Sequence, residues 1–143
     1  MRVQIIIPIL NPEETFFSKI LPKIYFQTIQ ADILLINSGS SIIPNEDYEL
    51  LTIEKKNFNH ADTRNLALNS EADFYLFMTQ DAQPYDEMLI EKLVNMFHDP
   101  DVVVAYARQI PYDDADAIEV FARTTNYPEN SMVKSKSDLA SMG

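Results

Sequence analysis

The sequence predicts an α/β domain built on a mainly parallel sheet with flanking helices. Three observations carry this. Short, nearly continuous apolar runs recur, at Val3 to Ile7, Asp32 to Ile36 and Asp73 to Met78, as expected of strands buried on both faces. Segments with apolar residues at helical spacing separate them. Polar, turn-forming residues follow the runs, a pattern that favours strand–helix alternation over a meander.

Taken in order, Val3-Gln4-Ile5-Ile6-Ile7 reads as the first strand, ended by Pro8. Asn11-Pro12-Glu13-Glu14 predicts a helix start, with a capping residue, a first-turn proline and acids near the positive end of the dipole. Phe16, Phe17, Ile20, Leu21 and Ile24 continue it, and Pro22 is expected to kink it or begin a second short helix. Asp32 to Ile36 is the second strand, with Asn37-Ser38-Gly39-Ser40-Ser41 as its exit loop. Tyr48 to Ile53 is the third. Asp62-Thr63 is expected to cap a helix running to about Asn69, before the fourth strand at Asp73 to Met78. A helix is expected from Asp86 to Phe97 and a fifth strand from Val102 to Tyr106. Beyond Ile118 the pattern reduces to a short helical piece and a polar tail.

The chain has 143 residues and is 46% hydrophobic, enough for one cored domain. Its net charge is −11, which argues against sequence-independent nucleic-acid binding and requires any anionic ligand to be met by local cations or a metal. Cysteine is absent, so there is no disulfide framework and no thiolate metal site. The apolar start is too short for a signal peptide, and no window has the length of a membrane span. A cytoplasmic protein is expected, with peripheral association at the inner face of a membrane left open. With only two glycines against eight prolines, Gly39 is expected where no other residue fits; Gly143 is terminal.

Ligands of open α/β sheets bind beyond the carboxyl ends of the strands. The loops there are Ile9 to Pro12, Asn37 to Ser41 and Thr79 to Pro84. Asp81 suits a hard divalent cation, and equally a turn. Arg64 suits phosphate or a base carbonyl, and equally a surface ion pair with one of 22 acids. His60 suits a phosphate or loop support. Asn37, Ser38 and Gly39 suit a base or ribose, and equally a strand-exit turn. Arg108, after the fifth run, faces either the pocket or the strand end. Glu119 and Arg123 have the spacing of a helical ion pair. His98, in the last turn of a helix, is given no function.

These residues, in this order, resemble a known family. Ile6-Ile7-Pro8-Ile9-Leu10-Asn11, Asn37-Ser38-Gly39-Ser40, Phe58 to Leu68, Thr79-Gln80-Asp81-Ala82-Gln83-Pro84, Ala105 to Pro111 and Glu119 to Pro128 are similar to the N-terminal half of an inverting family 2 glycosyltransferase of the GT-A fold, in the bacterial rhamnosyltransferase group. The resemblance implies a Rossmann-like GT-A nucleotide-diphospho-sugar transferase fold, truncated after its donor-binding half. It places a nucleotide-sugar-binding part at 1–128 and a polar tail, the start of the acceptor half, at 129–143. By resemblance, Asp81 is the last carboxylate of the family's Asp-x-Asp motif and holds Mg2+ or Mn2+ on the donor diphosphate. Pro8, Asn11 and Asn37, with Ser38 and Gly39, wall the pyrimidine; His60, Arg64, Gln80 and Arg108 complete the donor site. Thr79 replaces the motif's first aspartate, which suits a 2′-deoxyribose donor such as dTDP-rhamnose. Ala61-Asp62 and Ala107 replace family glycines.

The resemblance further implies a saccharide or lipid-linked saccharide acceptor and a catalytic base in the half that is not matched, with none in this chain. The isolated chain is accordingly expected to have weak activity or none, and to expose apolar surface through which copies pair. A phospho-acceptor signalling domain would need an acidic pair after strand one and a lysine after strand five. Pro8 to Asn11 and Arg108-Gln109 stand there instead. A non-catalytic interaction or nucleotide-binding domain with a degenerate site is the remaining alternative.

Overall fold

The computed structural model describes residues 1–42, 44–69 and 71–141; of the expected tail, Met142 and Gly143 lie outside the described residues. The contacts divide the chain into two units, Met1–Ala105 and Tyr106–Gly143.

The first unit holds a parallel sheet of four strands, β1 (Val3–Ile9), β2 (Asp32–Asn37), β3 (Glu49–Thr52) and β4 (Phe74–Phe77), in the order β3-β2-β1-β4. The mainly parallel α/β architecture expected from the alternation is therefore present. β1 is central and almost wholly buried, and this is why its sequence shows no polar alternation. Its odd-numbered face, Ile5, Ile7 and Ile9, joins Ile33 and Leu35 under Phe16, Ile20, Leu21, Ile24 and Ile90. Its other face sets Ile6 with Leu34, Ile36 and Ala67. The sheet is covered on both sides, as parallel pairing with crossover helices requires.

Pro22 acts as expected. A π-helical turn, Phe16–Ile20, runs straight into α1 (Leu21–Tyr25), with Pro22 in the first turn of α1. Proline has no N–H and its ring crowds the carbonyl four residues back, so the chain widens just before it, and the Leu21 N–H reaches the Phe16 carbonyl instead. Asn11 is corrected: it is no helix cap. Its φ of 44° places it in the left-handed region as a turn residue, a conformation asparagine tolerates better than most.

The helix after the His60 loop begins earlier than expected. α2 (His60–Asn65) is capped by Asn59, whose side chain accepts from the N–H groups of Ala61 and Asp62; Asp62-Thr63 does not cap it. A 3-10 turn, Leu66–Asn69, extends it. α3 (Leu89–Asn95) with the 3-10 turn Met96–His98 fills the interval expected to be helical, starting slightly late.

Gln27, buried at 3% exposure, joins α1 to α3. Its amide nitrogen donates to the carbonyls of Lys23 (3.0 Å) and Asp86 (2.8 Å), and its oxygen accepts from the Ile90 N–H (3.2 Å). Those carbonyl and N–H groups lie where the helices leave backbone unpaired. Replacing Gln27 with alanine strands several buried polar groups, and a loss of about 2–3 kcal/mol is expected in urea unfolding.

Asp86 accepts from the Met88 N–H (2.9 Å) and from Lys92 Nζ (2.6 Å), and these bonds hold its carboxyl below the ordinary value of 3.8. A lowered folded-state pKa contributes stability above the unfolded value, lost as pH falls through the folded one. The stability gap between wild type and Asp86→Asn is thus expected to be largest near neutrality and to shrink as the pH falls below the ordinary carboxylate range, in paired denaturation curves. An unchanged gap would show that the carboxylate's charge is not what matters.

The expected fifth strand does not form. Val102 to Tyr106 forms no ladder, and Val103 and Val104 are 84% and 75% exposed. β-propensity expresses packing on a neighbouring strand, and among the described residues none lies alongside.

In the second unit, α4 (Ala117–Asn126) is capped by Asp116, which accepts from the Glu119 N–H at 2.8 Å. Glu119 and Arg123 pair across one turn at 3.5 Å, as their spacing suggests. Among the described residues, no helix is long and apolar enough to cross a membrane.

Candidate functional site

Parallel pairing puts the carboxyl ends of β1, β2 and β4 along one edge, so their exit loops gather there. Three side chains lace them. Gln80, after β4, accepts from the Leu10 N–H (2.8 Å) and donates back to the Leu10 carbonyl (3.3 Å), clipping the β4 and β1 exits with one amide. The Asn11 N–H donates to Ser40 Oγ, tying the β1 exit to the β2 exit. Ser38 Oγ donates to the Ile9 carbonyl at 3.1 Å, beside the backbone bond from the Ser38 N–H to that same oxygen.

Asn37 was expected to offer its amide to a base. It is 2% exposed and spends both ends on its own loop: Nδ2 donates to the Ser40 carbonyl (2.7 Å) and Oδ1 accepts from the Ser40 N–H (2.9 Å). In this structure its work is to shape the turn. Gly39 lies at the turn's apex with φ of 121°, a region closed to residues bearing a Cβ, so the expectation that only glycine fits there is met. The Ile53 N–H donates to the Asn37 carbonyl at 2.9 Å, which brings the β3 exit against the same turn.

Pro8 lies in β1, opposite Ile36, just before this mouth. Thr79 and Asp81 are exposed, in a tight turn closed by the bond from the Ala82 N–H to the Thr79 carbonyl (3.2 Å). His60 opens α2, exposed, with its ring edge-on to Phe58 at 5.0 Å. Arg64 is half-buried on α2, which packs against β1, and its Nε is buried without a hydrogen-bond partner. A buried guanidinium N–H with no acceptor is costly, and an incoming anion or carbonyl would relieve it. Arg108 belongs to the second unit, where it meets Glu129 at 3.5 Å.

No three of His, Cys, Asp and Glu cluster among the described residues, so the protein offers no closed metal cage. An exposed carboxylate such as Asp81 does fit one arrangement: magnesium-type ions commonly take one or two carboxylates and complete their shell with substrate phosphates and water. A shallow pocket of about 340 Å3, lined by Met1, Arg2, Val3, Gln30, Ala31 and Asp32, lies at the opposite, amino end of β1 and β2, bridged by the Arg2–Asp32 ion pair at 2.7 Å.

The fold is a parallel α/β sheet with flanking helices and a laced carboxyl-end mouth, consistent with a truncated GT-A fold. The crystal structure of S. aureus TarS 1-349 superposes with a TM-score of 0.58 at 14% identity, over 80% of this chain and 40% of that one. The crystal structure of S. aureus TarS gives 0.55 at the same identity, over 80% and 24%. In sequence, the chain is related along its whole length to the O-antigen chain rhamnosyltransferase RfbN of Salmonella typhimurium, at 38% identity over 152 residues and 48% of that protein. It is 32% identical over 147 residues to the O-antigen chain rhamnosyltransferase WbaN of Salmonella anatum, covering 97% of this chain and 47% of that one. The resemblance to the rhamnosyltransferase group thus holds, and the chain spans about half the length of the curated relatives it matches. No family model matches the chain.

Proposed function

We propose that this chain provides the donor-binding part of a glycosyltransferase, taking a nucleotide-diphosphate sugar, with dTDP-rhamnose as donor, for inverting transfer to the hydroxyl of a saccharide or lipid-linked saccharide. The observation that carries the reading is the laced mouth itself. Three strand exits are held together by Gln80, Ser38 and the Asn11–Ser40 contact, with an exposed carboxylate, Asp81, at the rim. The relation to two rhamnosyltransferases supports the choice of sugar.

In this reading Asp81 holds Mg2+ or Mn2+, which offsets charge on the departing nucleotide diphosphate. The β1 and β2 exit loops receive the nucleoside, and Arg64, with its unpaired Nε, receives a phosphate or base oxygen. Thr79, neutral and short, leaves room beside a 2′-deoxyribose. In this reading these residues bind and orient the donor, and none of them is assigned as the base that deprotonates the acceptor.

A thermal-shift screen of nucleotide sugars, with and without manganese, tests the reading. Stabilisation by dTDP-rhamnose that requires metal and exceeds that by UDP-sugars is the expected result. Stabilisation by none of them would make the fold a non-catalytic scaffold.

A further inference from the structure

The engagement of Asn37 narrows what the donor site offers: each end of the amide expected at the pyrimidine edge is already bonded to Ser40. A further donor beside that turn follows β3. The bond from the Ile53 N–H to the Asn37 carbonyl brings the β3 exit to the turn, and the 3-10 turn Lys55–Asn57 follows directly. Lys55 lies against Gly39; a Cβ built on that glycine would stand 3.7 Å from the Cβ of Lys55.

Its neighbour Lys56 is held by Glu54 at 2.6 Å. Lys55 is exposed; its carbonyl accepts from the Phe58 N–H at 3.2 Å, and among the described residues its ammonium makes no ion pair or hydrogen bond. In a chain with 22 acidic and 11 basic residues, Lys55 places a cationic side chain beside the turn whose asparagine is already engaged. An ammonium offers three rotatable donors and no acceptor, which suits carbonyl oxygens and not amino groups.

We propose that Lys55 is a specificity residue of the donor site, its ammonium donating to a carbonyl oxygen of the pyrimidine seated on the Asn37–Ser41 turn. The inference rests on the donor-binding reading above. It adds a role for β3, which no sequence motif marked.

The test is isothermal titration of the whole chain with dTDP and, separately, with inorganic pyrophosphate, both with magnesium. Lys55→Met keeps the length of the side chain and removes the charge and donors. It is expected to weaken dTDP about tenfold and leave pyrophosphate unchanged. Lys56→Met, at the paired neighbour, is expected to alter neither. Equal dTDP affinity in Lys55→Met and wild type overturns the inference alone. A parallel loss for dTDP and pyrophosphate also overturns it, since the lysine would then act on phosphate charge. Wild type that binds no nucleotide diphosphate overturns the donor-binding reading, and this inference with it. Circular dichroism and an unchanged unfolding midpoint confirm that each variant is folded; the exposed position of Lys55 makes that the expected result.

Discussion

Replacing Asp81 with asparagine is expected to remove nearly all metal-dependent binding of the nucleotide diphosphate. Asparagine keeps the size and the turn chemistry but withdraws the anionic oxygen that a hard cation seeks. With no other acidic or histidine cluster among the described residues, no neighbour substitutes for it. A loss of roughly 100-fold in affinity is the scale expected for such a ligand. At a ligand concentration of 100 Kd, wild type gains about 2.7 kcal/mol from binding; a 100-fold weaker variant gains about 0.4 kcal/mol. The thermal shift with dTDP-sugar and manganese is therefore expected to collapse in Asp81→Asn, while the unliganded unfolding midpoint stays close to wild type. An undiminished shift would separate Asp81 from the metal.

The second large effect concerns folding. Phe16 is 2% exposed, lies edge-to-face on Phe17 at 5.0 Å, and stands in the cluster over β1 and β2. Truncating it to alanine opens a cavity beneath the π-helical turn, where a neighbouring proline limits how far the backbone can collapse inward. A loss of about 3–5 kcal/mol is expected in chemical denaturation, a large share of the stability of a domain this size. Phe17→Ala, at a 36% exposed position one residue on, is the control and is expected to cost much less. Equal losses would mean that the turn itself, rather than the burial of Phe16, sets the stability.

What could be read in advance follows from how local each signal was. The strands β1 and β2 announce themselves because burial on both faces leaves little room for polar residues, whereas β4, expected to be buried likewise, is a partly exposed edge strand. Pro22 was legible because its effect on the backbone is intrinsic. Val102 to Tyr106 misled because a strand depends on a neighbour, and a run of valines records only the capacity to pair. Asn11, expected to cap, is a turn residue, and Asn59 caps α2 in place of the expected Asp62-Thr63, for a similar reason. Each is an asparagine at the start of a helical segment, and the choice between cap and left-handed turn depends on where Ser40 and the N–H groups of Ala61 and Asp62 lie.

The mouth was legible by place and less so by bonding. That the Asn37, Thr79 and Leu10 loops converge follows from parallel topology. That Gln80 clips one loop to another, and that Asn37 turns its amide inward, depends on separations of 70 and 3 residues that no motif encodes. Lys55 carried no signal at all, since one lysine after a strand looks like any solvated charge.

The clip across the mouth is a carboxamide, and a carboxamide does not titrate. Acidifying the solution therefore leaves the clip between the β1 and β4 exits intact. The spacing of the two loops is set by a group that carries the same charge at every pH, so a change of pH does not reach the mouth through this tie.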